Sequence, residues 1–217
     1  MLIAPSLLAA DFLHLGSEMQ MLNASADWIH LDVMDGTLVP NISFGFSVID
    51  ALMGVAQKPM DAHLMVVHPE RWFERLAADS VSCVSFHLEA ACRHTGPYLE
   101  RIRSLGMKAG VAINPDIPVQ KLYPYIGKAD FFLIMSVFAG FGGQKFIPGA
   151  LSKLTRLSKM LDGCNHAVTV EVDGGVKLDN CAEIARAGAE VLVAGSAIFN
   201  ASDPAQAVQD MKTYCRV

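Results

Sequence analysis

Eight alternations of a short apolar run with a longer stretch of helical period constrain the fold of this 217-residue chain more than any other feature. The short runs have the apolar content of strands buried in a parallel sheet, and they occupy residues 2–7, 28–33, 60–64, 81–87, 108–113, 131–136, 167–173 and 191–194. Helices are predicted after them at 15–23, 47–56, 69–78, 97–105, 119–126, 148–161, 178–187 and 203–214. Because no linker or low-complexity segment interrupts the series, it predicts one α/β domain over residues 1–217, a (β/α)8 TIM barrel.

Composition excludes several classes of protein. Hydrophobic residues make up 52% of the chain and charged residues 18%, which is typical of a globular protein with a large core. The net charge of −5 and the absence of a lysine and arginine cluster argue against nucleic acid as a partner. We find neither an apolar window long enough for a membrane span nor a basic leader, so we expect no membrane association and a cytoplasmic location. Five cysteines without C-x-x-C spacing predict reduced thiols.

The second predicted strand and the turn after it read His-Leu-Asp-Val-Met-Asp-Gly over residues 30–36. Alternation along a strand places His30, Asp32 and Met34 on one face. His63 ends the third strand and Asp173 ends the seventh, so both belong to the same rim of a barrel. One such residue alone is more often an ordinary polar residue at a strand end. Together, two imidazoles and two carboxylates predict a site for one divalent metal ion, with Zn, Mn, Fe and Co all acceptable.

The two carboxylates also suggest a reaction. Asp32 and Asp173 come from different sides of the predicted barrel, so one could remove a proton beside a carbonyl and the other could return it to the opposite face. Methionines at the same mouth would keep the site dry, although a plain role as core filler fits them equally well. These residues are Met34, Met65 and Met135.

Glycines in the last three loops predict an anion site. Loops after the final strands of such barrels commonly bind phosphate, and glycine lets backbone N–H groups approach an anion closely. One Gly-Gly pair is weak evidence, but successive loops six, seven and eight all carry glycine. The predicted phosphate ligands are Gly140, Phe141, Gly142, Gly143, Gly174, Gly175, Gly195 and Ser196.

These segments resemble the ribulose-phosphate 3-epimerase family. The matching residues are 4–12, 30–41, 63–65, 140–146 and 171–175 with Gly195 and Ser196, and they span nearly the whole chain. The resemblance implies a barrel that interconverts D-ribulose 5-phosphate and D-xylulose 5-phosphate, with a metal on His30, Asp32, His63 and Asp173 and the two aspartates as the acid/base pair. It also implies that Ser6 and His63 touch the sugar, that the glycine loops bind its phosphate, and that the protein can form a homo-oligomer.

The chain departs from the family pattern before loop six, where Phe138-Ala139 stands in place of the usual Asn-Pro. A shifted substrate, such as the six-carbon D-allulose 6-phosphate, therefore remains open, as does a non-catalytic barrel that binds a sugar phosphate. A metal-free decarboxylase is disfavoured because neither the second nor the third strand end carries the Asp-x-Lys array that this class needs. His87 and Glu89 lie at the same rim, and the sequence assigns them no role.

Overall fold

The computed structural model describes residues 1–164 and 166–215, which form one barrel of parallel strands. The strands are Leu2–Pro5 (β1), Ile29–Met34 (β2), Met60–Met65 (β3), Cys83–His87 (β4), Lys108–Ile113 (β5), Phe131–Met135 (β6), Thr169–Asp173 (β7) and Val191–Ala194 (β8). They pair in the order β1-β8-β7-β6-β5-β4-β3-β2. A parallel bridge between Ser6 and His30 joins the two ends of this sheet. The predicted (β/α)8 fold is confirmed.

The helices of the described ranges cover the outside of the barrel. The α-helices are Leu15–Ser25 (α1), Phe46–Met53 (α2), Phe73–Ala78 (α3), Leu88–Ala91 (α4), Thr95–Ser104 (α5), Gly149–Leu161 (α6), Cys181–Arg186 (α7), Ser196–Phe199 (α8) and Pro204–Tyr214 (α9). The element predicted at 119–126 is a 3-10 helix, Val119–Tyr125, with Pro124 inside it. Proline has no N–H to donate, so this segment cannot complete an ordinary α-helical ladder. Within these ranges, no helix has both the length and the apolarity to cross a lipid bilayer.

The inside of the barrel is divided into an apolar and a polar part. Side chains from β1, β5, β6 and β8 form small apolar clusters, separate from the large core under the helices, with Ala4, Ala112, Leu133, Val191 and Val193 among them. Strands β2, β3, β4 and β7 instead contribute buried polar side chains. These are His30, Asp32, Asp61, His63, Ser85, His87 and Glu171. Such a one-sided polar interior indicates a functional site, since buried polar groups cost free energy unless they are paired.

Gly110 on β5 leaves room for the ring of Phe131, which is almost fully buried. A Cβ at position 110 would overlap that ring. We therefore expect Gly110→Ala to lower the free energy of unfolding by about 1–3 kcal/mol in urea denaturation. Gly16→Ala is the control, because a Cβ there meets nothing within 4 Å, and it should leave stability unchanged or raise it. Equal stability of both variants would contradict this packing.

Candidate active site

The strand register of β2 and β3 sets the position of four polar side chains. His30 pairs with Asp61 and Asp32 pairs with His63 across the two strands, so all four point into the barrel at matching heights. Asp173, the last residue of β7, reaches the same place. One donor atom from each of His30, Asp32, His63 and Asp173 lies within 4.8 Å of the others. The structure thus brings the four predicted ligands together at one point.

Both histidines present one ring nitrogen to this point and use the other elsewhere. His30 Nδ1 lies 2.7 Å from Asp61 Oδ2, while His30 Nε2 lies 3.5 Å from Asp32 Oδ1. That Nε2 is buried and has no hydrogen-bond partner among the described residues. His63 Nδ1 lies 3.2 Å from the same oxygen of Asp32. An orphaned imidazole nitrogen, held by a carboxylate on its far side and facing two acids, fits a divalent cation.

Asp32 is held in its ionised form. Ser6 Oγ donates a hydrogen bond of 2.5 Å to Asp32 Oδ2. Burial alone would raise the pKa of Asp32, but the charge on His30 and the close contacts of Asp32 with the His30 and His63 rings outweigh it and bring the pKa below its ordinary value. Burial opposes the charge on His30 too, yet the neighbouring Asp32 and Asp61 carboxylates raise the pKa of that imidazole.

The pKa of Asp173 is shifted in the opposite direction, above its ordinary value. Burial and the negative charge of Asp32 raise the pKa of Asp173 to about 7, against a smaller lowering by the charge of His30 and the Gly174 N–H. His63 stays neutral, because burial lowers its pKa to about 4. Two carboxylates at one site with pKa values pushed apart are the arrangement expected of an acid and a base.

A cavity opens above this cluster at the carboxyl ends of the strands and spans about 570 Å³, the open solvent at its mouth included. Most of the predicted site residues line it: Ser6, Asp32, Met34, Met65, Met135, Gly140, Phe141, Gly142, Gly143, Asp173, Gly174, Gly175, Gly195 and Ser196. His30 and His63 do not line it, since both lie fully buried beneath its floor.

The glycines of loop seven are required by the backbone. Gly174 has φ +114° and Gly175 has φ +63°, values that other residues adopt only with strain. A Cβ on Gly175 would also overlap the backbone of Phe146. Nearby, the amide groups of Gly142 and Gly143 donate to no protein acceptor in the described part of the chain, and the same holds for Gly175. These N–H groups remain free for a ligand at the cavity wall.

Loop six is stabilised by side chains that the sequence analysis did not assign to the site. Asn41 Nδ2 donates to the Gly140 carbonyl at 2.8 Å, and Gln144 Nε2 donates to the carbonyls of Phe138 and Phe141 at 2.7 and 2.8 Å. Ala139 donates its N–H to Asn114 Oδ1 at 3.0 Å. The Phe138-Ala139 departure therefore adds a backbone donor that proline lacks.

The sequence analysis also did not assign two further buried acids, Asp61 and Glu171, to the site. Asp61, Glu171 and His30 each place one donor atom within 4.8 Å of the other two, below the predicted site. Burial and the charge of Asp61 raise the pKa of Glu171 well above its ordinary value. The signal was available, because each acid precedes a predicted ligand by two residues and so shares its face of the strand.

Comparison with known proteins gives a consistent result. A family model described as "Ribulose-phosphate 3 epimerase family" matches residues 2–199. The ribulose-phosphate 3-epimerase of Mycobacterium tuberculosis is 44% identical over 211 residues, covering 97% of this chain and 91% of that protein. The enzyme of the same name from Escherichia coli is 43% identical over 214 residues, covering 98% and 95%.

Similarity to a solved structure supports the fold alone. A 3-hexulose-6-phosphate synthase superposes with a TM-score of 0.72 at 20% identity, covering 99% of both chains. The fold, the clustered acids and imidazoles, and the match over residues 2–199 agree, and the chain belongs to the ribulose-phosphate 3-epimerase family.

Proposed function

We propose that this protein is a metal-dependent epimerase that interconverts D-ribulose 5-phosphate and D-xylulose 5-phosphate at C3. The observation that carries the proposal is the pair Asp32 and Asp173, which face one cavity from β2 and β7 with pKa values displaced in opposite directions. Relatives named ribulose-phosphate 3-epimerase that align over nearly the full chain support it.

In the proposed reaction, one aspartate takes the proton from C3 of the ketose. The electron pair left on C3 forms a second bond to C2 while the C2–O π pair moves onto O2, which gives an enediolate. The carbonyl then re-forms as the other aspartate protonates C3 from the opposite face. Asp32 is ionised and therefore has a lone pair available to take a proton, and Asp173, whose pKa is raised to about 7, can donate one near neutral pH. Ser6 orients Asp32 through its hydrogen bond to Oδ2.

The remaining cavity residues bind the substrate and exclude water. Met34, Met65 and Met135 are nearly fully buried and surround the two acids with apolar side chains, which limits the access of water to the enediolate. The free amides of Gly142, Gly143 and Gly175 would hold the phosphate. In this proposal the phosphate lies on the loop-six and loop-seven side of the cavity.

His30, Asp32, His63 and Asp173 would hold the metal, for which Zn, Mn, Fe and Co are the candidates. When bound, such an ion would stabilise the negative charge that develops on the enediolate. His30 must give up its Nε2 proton to serve as a ligand, so metal affinity should rise with pH.

The test is epimerisation of ribulose 5-phosphate, followed in D₂O with elemental analysis of the same sample. We expect deuterium at C3 of the product and one equivalent of a divalent metal. Activity should fall in proportion to the metal removed by a chelator and return when metal is added. Equal activity of metal-free and metal-loaded protein would overturn the metal-dependent reaction, and a metal-loaded protein without turnover would favour a non-catalytic binding role.

The half-exposed Phe138 and Phe141 beside the cavity keep a six-carbon substrate in consideration. Comparison of kcat/KM for ribulose 5-phosphate and allulose 6-phosphate separates the two. We expect the pentose to be preferred, and a higher value for the hexose would reassign the substrate.

A further inference from the structure

His87 lies at the end of β4 and is fully buried. It contacts His63, one of the four predicted metal ligands, but is not itself one of the four. Its Nε2 lies 2.9 Å from Nε2 of His63. Two ring nitrogens at this distance share one hydrogen, so one is the donor and the other the acceptor. Which nitrogen carries the hydrogen decides which tautomer His63 adopts.

The carboxylate of Glu89 favours the tautomer of His87 that carries its hydrogen on Nδ1. Its Oε1 lies 3.6 Å from Nδ1 of His87, which is longer than a hydrogen bond but places an acceptor-only group in front of that nitrogen. A neutral His87 then carries its hydrogen on Nδ1 and accepts at Nε2. In that case the hydrogen of His63 is on Nε2, and its Nδ1 lone pair faces Asp32 Oδ1 at 3.2 Å. A lone pair opposite a carboxylate oxygen is favourable only when a cation lies between them.

Glu89 is itself fixed by Asn114, which follows β5. Asn114 Nδ2 donates to Glu89 Oε1 at 3.0 Å, and Asn114 Oδ1 accepts the Ala139 N–H at 3.0 Å. Lys153 Nζ donates to the Asn114 carbonyl at 2.8 Å. Both ends of the Asn114 amide are therefore engaged, so its orientation, and with it the acceptor role of Glu89, is determined by the fold.

We propose that His87, oriented by Glu89 and Asn114, is a positioning residue that holds His63 in the tautomer whose Nδ1 lone pair points at the metal. This inference rests on the proposed metal site. It gives a role to a buried histidine that the four-residue cluster leaves out, and it makes His63 the counterpart of His30, whose far nitrogen is held by Asp61.

The experiment compares three variants of the protein, metal-free for the His63 tautomer and titrated with zinc for the metal affinity. His87→Leu removes the acceptor, His87→Gln restores one through its side-chain oxygen, and Ser85→Ala is the matched control. Ser85 is on the same strand and face, is equally buried, and its Oγ has no hydrogen-bond partner within the described residues. Each variant is titrated with zinc against a competing chelator, and the nitrogen and hydrogen positions of His63 are read by ¹⁵N NMR.

We expect His87→Leu to raise the Kd for zinc by about 10–100-fold and to populate both His63 tautomers. His87→Gln should restore most of the affinity and a single Nε2–H tautomer, and Ser85→Ala should match the unaltered protein. A purely structural role of His87 would leave the His63 tautomer unchanged in His87→Leu, and that result would overturn the inference. Should His87→Leu fail to fold, Glu89→Ala must show a mixed His63 tautomer, and a single tautomer there would also overturn it.

The outcome is separable from that of the proposed function. If the unaltered protein binds no divalent metal, the proposed function fails and the inference with it. If it binds zinc and His87→Leu binds equally well with an unchanged tautomer, only the inference fails.

Discussion

The Asp173→Asn variant is expected to lower kcat for epimerisation by about 10²–10⁴-fold, the range typical of a lost general acid or base. Asparagine keeps the shape of the side chain but cannot take or give the C3 proton. Asp32→Asn should have an effect at least as large, because Asp32 also accepts from Ser6 and faces both histidines. Asp116→Asn is the control, since Asp116 is exposed on the loop after β5 and does not line the cavity.

Exchange of the C3 hydrogen in D₂O makes this prediction sharper. With two acids on opposite faces, each single variant should lose epimerisation yet still exchange the C3 hydrogen of one epimer, and the two variants should select different epimers. The assay therefore assigns each aspartate to a face of the sugar. Epimerisation by Asp173→Asn at the rate of the Asp116→Asn control would refute the two-acid mechanism.

The fold and the convergence of the four predicted ligand residues could be predicted from the sequence because both follow from the periodicity of strands and helices. Alternation along β2 places His30 and Asp32 inside, and the βα repeat places β3 and β7 so that His63 and Asp173 share their rim. Glycine in loop seven was equally informative, since Gly174 and Gly175 adopt backbone conformations that disfavour other residues.

The partners of those ligands could not be derived in the same way. The contact of His87 with His63 depends on side-chain rotamers across the barrel, and alternation says only that both face inward. The link from Asn114 to Ala139 joins two loops whose conformations no periodicity describes. Likewise, the 3-10 helix at Val119–Tyr125 has the spacing of a helix, and its tighter winding reflects one internal proline.

The two aspartates should affect stability in opposite directions when no metal is present. At pH 8 we expect Asp173→Asn to raise the free energy of unfolding by on the order of 1–2 kcal/mol, discounted for the partial exposure of Asp173 to the cavity. Asp32→Asn should lower it by about 1–3 kcal/mol, because it weakens charge-assisted bonds to buried partners. Both variants carry the same change of aspartate to asparagine. A difference in their stabilities therefore reports the electrostatic environment of each site.

The pH dependence follows from the sign of each pKa displacement. Between its ordinary value of 3.8 and about 7, Asp173 keeps a proton in the folded state that the unfolded chain has lost, so stability falls as pH rises through this window. Asp173→Asn removes that fall, and its advantage should be largest at pH 8, smaller at pH 5 and absent only below about pH 3.8. The pKa of Asp32 is lowered, so its contribution is present above pH 3.8 and is lost only as pH falls through the folded value.

Metal should reverse the order of the unaltered protein and Asp173→Asn at pH 8. A ligand that binds only the folded state stabilises it by about 4 kcal/mol at a thousand times its Kd, and the variant has lost one of the four donors. Urea unfolding at pH 5 and pH 8, with a chelator and with saturating zinc, measures the free energy of unfolding of each protein under all four conditions. If Asp173→Asn is less stable than the unaltered protein at pH 8 in chelator, the raised pKa of Asp173 is wrong. If zinc stabilises both proteins equally, Asp173 is not a ligand, and the cluster binds its ion through the two histidines and Asp32 alone.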